Sequence, residues 1–232
     1  MAGLFQDHRL VNVHDRLLAF YGPQPRLEVW DPLTQFIYSL LSSQTLTGDS
    51  HEVLRNLRRV FGTWERLRDA PVAEIEDAIR AATYPESKAV WLKKDLEEIT
   101  TRYGSLTLDW LATYETGKIR RWLERLDGCG VKTSAAVVNF STLRRRAMCV
   151  DSHHLRVAQR LGFVAANADA AVTEKRLMDM APDTWTAMVL DEHHSLIKLH
   201  GQKICTFKTA PACRRCPLLE ICPTASASRQ LT

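Results

Sequence analysis

Three groups of residues in this chain have the types and spacing to do chemistry. The first is Leu126-Asp127-Gly128-Cys129-Gly130-Val131-Lys132-Thr133, lying between two helical patterns. Two glycines separated by one residue make a tight turn, and the helix after it opens with exposed backbone N–H groups. Those donors at Gly128, Gly130 and Val131, with the positive end of the helix dipole, suit a phosphate oxygen. The same pattern also serves as a plain C-cap turn between packed helices. Lys132, beside the turn, is either a solvated surface cation or an amine placed for nucleophilic attack. The second group is Val150-Asp151-Ser152-His153. Asp151 is an N-cap for the following helix on either reading, and its carboxylate is also the obvious partner for Lys132 or for a developing cation.

The third group is Cys205-x7-Cys213-x2-Cys216-x5-Cys222. A zinc ribbon shows two tight Cys-x2-Cys pairs, whereas only one pair is tight here. Four thiolates in one compact loop suit an iron–sulfur cube at least as well. In a reducing compartment such a cluster binds metal rather than forming disulfides. The metal's role is structural, since no flavin or nicotinamide motif accompanies it. Lys203, Lys208, Arg214 and Arg215 intersperse the loop and give it a basic surface. Cys129 and Cys149 stand apart and read as small hydrophobes.

The elements that must position these groups are helical, and no strand-like alternation is long enough to compete. Phe5, Leu10, Val13, Leu17, Leu18 and Phe20 mark one apolar helical face, closed at Tyr21-Gly22-Pro23. Asp31-Pro32 starts a helix through Leu41 as N-cap and first-turn proline. Val53, Leu54, Leu57 and Val60 share a face that ends at Gly62, and Pro71 opens a short helix with Ile75 and Ile79. Lys88 to Tyr103 is longer and stops at Gly104. Leu123 and Leu126 close the helix before the glycine turn, and Thr133 to Phe140 resumes it. Further helices are predicted from Ser152 to Leu161, Ala170 to Met180 and Thr184 to His200.

Composition bounds the partners. The chain has 232 residues, with 45% hydrophobic and 25% charged, which is ordinary for a globular protein. Lys+Arg 31 against Asp+Glu 27 leaves a net charge of +4, which excludes a protein held to DNA by bulk charge alone but not one using local clusters. The first ten residues lack the pattern of a signal peptide, and no apolar stretch approaches the roughly 18 residues of a membrane span. A soluble, cytoplasmic protein with no membrane partner is expected.

Taken in order, the motifs resemble the endonuclease III family of helix–hairpin–helix DNA glycosylases. The hairpin ends in Lys132, where that family carries its Schiff-base lysine. Val150-Asp151-Ser152-His153 is similar to the Val-Asp-Thr-His segment holding the catalytic aspartate. His193-His194 through His200-Gly201 to Cys205 resembles the run into the family's [4Fe–4S] loop. Leu40-Leu41-Ser42-Ser43-Gln44-Thr45 looks like the segment whose glutamine enters the space left by an extruded base. The resemblance runs from about Asp31 to Pro223. Departures are Asp127 and Cys129, where the family hairpin reads Leu-Pro-Gly-Val-Gly, and a first cysteine gap one residue longer than usual. Tyr84 falls where relatives carry a leucine wedge, with Ser87-Lys88-Ala89 anchoring that alignment. It would stack on the orphaned partner base, or simply pack at a helix end.

The resemblance implies an all-α protein of two helical domains flanking a DNA-binding groove. Residues 31–143 would form a six-helix bundle carrying the hairpin. Residues 1–30 with 146–232 would form a helical domain around the cluster loop 205–222. Lys132 and Asp151 would face each other across the groove floor, with Gln44, Tyr84, Gly128, Gly130, Val131, Lys208 and Arg214 on DNA. Cys205, Cys213, Cys216 and Cys222 would hold a [4Fe–4S] cluster, and the hairpin a monovalent cation. The implied enzyme is a monomeric, bifunctional DNA glycosylase and AP lyase of base excision repair, nucleoid-associated through its DNA. It would excise oxidised pyrimidines from damaged or abasic duplex DNA through a lysine Schiff base and β-elimination. The adenine-glycosylase branch lacks the lysine and carries a further C-terminal domain, for which the residues after Cys222 leave no room. The alternatives are a thymine or uracil mismatch glycosylase on the same scaffold, an AP lyase only, or a non-catalytic binder of damaged DNA. His193, His194 and His200 are expected in the core or beside the cluster. One of His153 and His154 is expected to be packed.

Overall fold

The computed structural model describes residues 8–24, 28–45, 47–207 and 209–225, so Phe5 and Lys208 lie outside the described residues. The helices in chain order are α1 (Arg9–Tyr21), α2 (Pro32–Leu41), α3 (Thr47–Phe61), α4 (Trp64–Asp69), α5 (Val72–Ala78) and α6 (Pro85–Tyr103). A 3-10 turn at Asp109–Thr113 precedes α7 (Thr116–Leu123) and α8 (Val131–Phe140). Then follow α9 (Ser152–Arg160), α10 (Ala170–Met180) and α11 (Ala187–Lys203). The described residues are helical without a strand, and none of their helices is long and apolar enough to cross a membrane.

The chain divides into two compact units, Val29–Arg145 and the described parts of Met1–Glu28 with Arg146–Thr232. The first unit is built around α2. Asp31 accepts from Thr34 N–H at 2.9 Å and Pro32 occupies the first turn, so local chemistry starts the helix. Leu33, Phe36, Ile37, Leu40 and Leu41 are all buried, and burying each such side chain stabilises by about 1.5–3 kcal/mol. The helix is therefore central, packing on α8, α3 and α6. On α8 the small residues Ala135 and Ala136 are buried beside Val137 and Val138, which lets the two backbones come close.

Seven α-helices fall in this unit among the described residues, rather than six; α4 is the addition. Its six residues carry one fully buried apolar side chain, Leu67, too few for a periodic signal. Helix α6 begins at Pro85, three residues before the expected start, because Tyr84 supplies a left-handed turn into a first-turn proline. Val60 and Phe20 are half-exposed, although their spacing assigned them to buried faces.

The second unit packs α1, α9, α10 and α11 together around Leu10, Leu17, Val157, Leu177, Leu196 and Ile197. A set of histidines lies inside it. His193 is fully buried, with ring neighbours His14, His154 and Trp185 at 5.2–5.5 Å. His154 is packed while His153 stays partly exposed against Arg156. Cys129 and Cys149 are buried in their respective units, and neither is in a disulfide.

Candidate active site

The glycine turn joins α7 to α8. Gly128 has φ +68°, and a Cβ there would meet Trp91 at 2.7 Å and Leu40 at 2.9 Å, so only glycine fits. Cys129 is buried beneath the turn, while Gly128 and Gly130 are exposed. No side chain caps the N-terminus of α8, and a Cβ on Gly130 would meet nothing within 4 Å. The helix thus opens without a side-chain cap beside an exposed glycine, as an anion site requires. The turn is braced from behind. Ser134 Oγ donates to Glu124 Oε1 at 2.6 Å and accepts from Arg120 Nε at 3.1 Å, tying the end of α7 to α8.

Asp127, which departs from the family hairpin, is paired with Lys94 Nζ at 2.6 Å. Its charge is thus offset on the surface rather than aimed uncompensated at a phosphate. Its N–H donates to Asp95 Oδ1 at 2.9 Å. Asp95 sits on the buried face of α6 with Oδ2 lacking any partner, and burial pushes its carboxyl up to about 7. The folded chain consequently keeps a proton that the unfolded chain loses from about pH 4 upward. Stability falls as pH rises from about 4 to 7, by at most about 4 kcal/mol. Asp95→Asn keeps the acceptor for Asp127 and removes the buried charge. It is expected to raise stability at pH 8 by roughly 2–4 kcal/mol and to leave it almost unchanged at pH 4. Urea denaturation at the two pH values measures this, and a variant less stable at pH 8 would contradict it.

Lys132 lies in the first turn of α8, with Nζ 3.2 Å from Ser42 Oγ and 3.4 Å from Ser39 O. The segment 42–45 that follows α2 also carries Gln44, which is exposed and has φ +59°. Tyr84, the residue that precedes α6, has φ +55° and is 55% exposed. A left-handed non-glycine residue costs roughly 1–2 kcal/mol, and such strain concentrates where side chains work. Gln44, Tyr84, the hairpin and Lys132 all belong to the first unit.

Asp151 belongs to the second unit and caps α9, its Oδ1 accepting from His154 N–H at 2.8 Å. Burial alone would push this carboxyl up. The His194 ring, the His154 N–H and Lys198 more than offset that, and hold it below the ordinary carboxylate range. The group is a carboxylate at neutral pH. His194 and His154 both donate through Nδ1 to the Cys149 carbonyl, at 2.7 and 3.2 Å, which fixes the walls around Asp151.

In the same unit Cys205, Cys213, Cys216 and Cys222 line one cavity of about 70 Å³, closed by apolar neighbours such as Val157 and Leu218. Arg160 donates to Cys205 Sγ at 3.1 Å, and His200 Nε2 lies 3.6 Å from Cys216 Sγ. Burial pushes the Cys216 thiol up to about 11. Among the described residues no three His, Cys, Asp or Glu side chains converge as a single-ion site does. Arg214 is exposed in the 3-10 turn Cys213–Arg215. The arginines at 144–146 are anchored to backbone carbonyls. Arg145 donates to Ala112 O at 2.7 Å and Arg146 to Pro182 O at 3.0 Å.

Sequence reasoning used Lys88 only to anchor an alignment and did not single out Thr83. Lys88 is 2% exposed, with Nζ donating to Leu41 O, Ser43 O and Thr45 Oγ1. The available signal was a lysine in phase with Leu92, Leu96 and Ile99 on the apolar face of α6.

The family described as HhH-GPD superfamily base excision DNA repair protein matches residues 37–183. Endonuclease III of Sulfolobus acidocaldarius is 31% identical over 160 residues, 69% of this chain and 66% of that protein. Endonuclease III of Haemophilus influenzae is 26% identical over 200 residues, 86% of this chain and 87% of that protein. Other curated relatives are longer: the chain spans 55% of one from Arabidopsis thaliana and 9% of the rice protein ROS1A. An endonuclease III solved in a non-covalent complex with DNA shares the fold, with a TM-score of 0.80 at 23% identity. That match covers 98% of this chain and 100% of the other.

Proposed function

The chain belongs to the HhH-GPD superfamily of base excision DNA repair proteins, and we propose that it is a bifunctional DNA glycosylase and AP lyase acting on oxidised pyrimidines in duplex DNA. The observation that carries this reading is Lys132, seated in the first turn of an uncapped helix behind a glycine hairpin. That position puts a primary amine beside a phosphate site, which is where an amine must be to reach a deoxyribose carbon.

A base in the stack is inaccessible to any side chain, so the nucleotide must first be extruded. Gln44 and Tyr84 fill the gap. The amides that open α8 bind one phosphate, and backbone oxygens of the hairpin would be hard ligands for a monovalent cation. Lys132 attacks C1′ as a neutral amine; the glycosidic bond breaks and its electron pair leaves with the base. Asp151 stabilises the positive charge that develops on the sugar and assists proton transfer. Ring opening gives the Schiff base, and removal of a C2′ proton expels the 3′ phosphate, nicking the strand. Arg214 in the cluster loop, with Lys208, contacts flanking phosphates. These groups come from one chain, which we read as a cytoplasmic monomer.

Four thiols around one cavity, with Arg160 and His200 beside the sulfurs, fit a [4Fe–4S] cluster held by Cys205, Cys213, Cys216 and Cys222. The cluster supplies rigidity to the loop.

The test is single-turnover cleavage of duplexes bearing thymine glycol, a thymine or uracil mismatch, or an abasic site, each with borohydride trapping. Release of thymine glycol with a trapped adduct is expected. Cleavage of the abasic duplex alone would reduce the protein to a lyase, and binding without cleavage would make it a binder. Asp151→Asn separates charge from capping, because asparagine also caps helices well. Base release should fall by about 10²–10⁴-fold with the fold retained. An unchanged single-turnover rate would remove Asp151 from the mechanism.

A further inference from the structure

Gln44 and Tyr84 are not independent in this structure. Thr83 N–H donates to Thr45 Oγ1 at 3.0 Å, and Thr83 Oγ1 donates to Gln44 O at 3.1 Å. Lys88 Nζ donates to Leu41 O at 2.9 Å, Ser43 O at 2.7 Å and Thr45 Oγ1 at 3.1 Å. Lys88 N–H in turn donates to Tyr84 O at 3.2 Å. Thr45, Thr83, Tyr84 and Lys88 thus close a ring of contacts that ties the end of α2 to the start of α6.

The ring is saturated. An ammonium has three donors and Lys88 uses all three; a hydroxyl has one donor and two acceptor sites. Thr45 Oγ1 accepts from Thr83 and Lys88 and donates to Ser43 O at 3.4 Å. Lys88 is buried with no capacity left for DNA, and its charge sits at the negative end of the α2 dipole. Of the left-handed non-glycine residues, Tyr84 lies on this ring and Gln44 is bonded to it through its carbonyl, and neither conformation would persist on a loose loop.

We propose that Thr45, Thr83 and Lys88 form a clamp that couples Gln44 to Tyr84, so that the two side chains enter an opened base pair as one rigid unit. The three are positioning residues; none of them touches the sugar. The inference rests on the gap-filling roles proposed above and adds what makes them act together. It also bears on the nucleophile, because Ser42, in the same segment, is hydrogen-bonded to Lys132.

The clamp matters where a base must be forced out and less where none is present. Thr45→Val is nearly isosteric and removes the shared hydroxyl. Excision of a damaged base from duplex DNA should fall by about 10–100-fold, while nicking of a preformed abasic site changes by less than about threefold. The rise in 2-aminopurine fluorescence from a probe next to the lesion should be lost on binding. Thr45→Ser restores the hydroxyl and should recover both signals. Thr83→Val, at the partly exposed edge, loses only the bond to Gln44 O and should show the same split at about 3–10-fold. Equal losses on the two substrates, or failure of Thr45→Ser to recover, would overturn the clamp while leaving the proposed function standing. A wild-type chain that neither traps nor nicks abasic DNA would overturn the proposed function, and the clamp with it.

Discussion

Lys132→Gln is expected to abolish the borohydride-trapped adduct and to lower strand nicking by about 10³-fold or more, while binding of an abasic duplex stays within about threefold. Glutamine keeps an uncharged polar end directed toward the segment 42–45. The amides that open α8 are backbone groups and survive the change, which preserves the phosphate contact. Only the amine is lost, and no Schiff base forms without it. Lys88 is the nearby amine that invites comparison. Burial first, and then the Lys132 charge, bring its ammonium down to about 8, so a neutral form is accessible near neutral pH. It is nonetheless 2% exposed and spent on three acceptors, so it does not take over. A trapped adduct surviving in Lys132→Gln would remove Lys132 from the reaction.

The second large effect concerns the thiol-lined cavity. Cys213→Ala removes one of four sulfurs facing a common space. The purified variant should lose the yellow-brown colour, together with iron and acid-labile sulfide in equal amounts. Metal-binding energy at a structural site is folding energy, on the order of 10 kcal/mol in small zinc domains. A loop of 205–222 freed from its metal should become the first site of limited proteolysis, while fragments spanning 29–145 persist. DNA affinity should fall as well, since Arg214 sits in the 3-10 turn that begins at Cys213. A colourless wild type containing zinc would replace the iron–sulfur assignment, and unchanged colour and iron in Cys213→Ala would remove that cysteine from the ligand set.

Features set by neighbours in the chain were legible in advance. Asp31 and Asp151 cap their helices because a carboxylate meets the N–H three residues on. Gly104 ends α6, and the leucines of α2 repeat at helical spacing. The four cysteines announced a shared site because so few residues separate them. Other features were not legible, since their partners are remote. Asp127 stands in the hairpin as a charge with no partner nearby in the chain, and the Lys94 that offsets it is 33 residues away. Val60 and Phe20 fit apolar faces by spacing, but the packing leaves them half in solvent. Helix α4 carried too little periodicity to be noticed.

The sequence by itself determined which chemistries were available: an amine after a glycine turn, a capping carboxylate, four clustered thiols, and helices to hold them. Only the tertiary structure shows that two lysines reach the same segment after α2, in different surroundings. Lys132 keeps part of its surface, whereas Lys88 is enclosed and spends every donor on that segment. The reason is physical. Helix caps and helical periods arise from contacts within about four residues, which local order already encodes. Burial, and the matching of donors to acceptors some 45 residues away, exist only once packing has brought the backbones together.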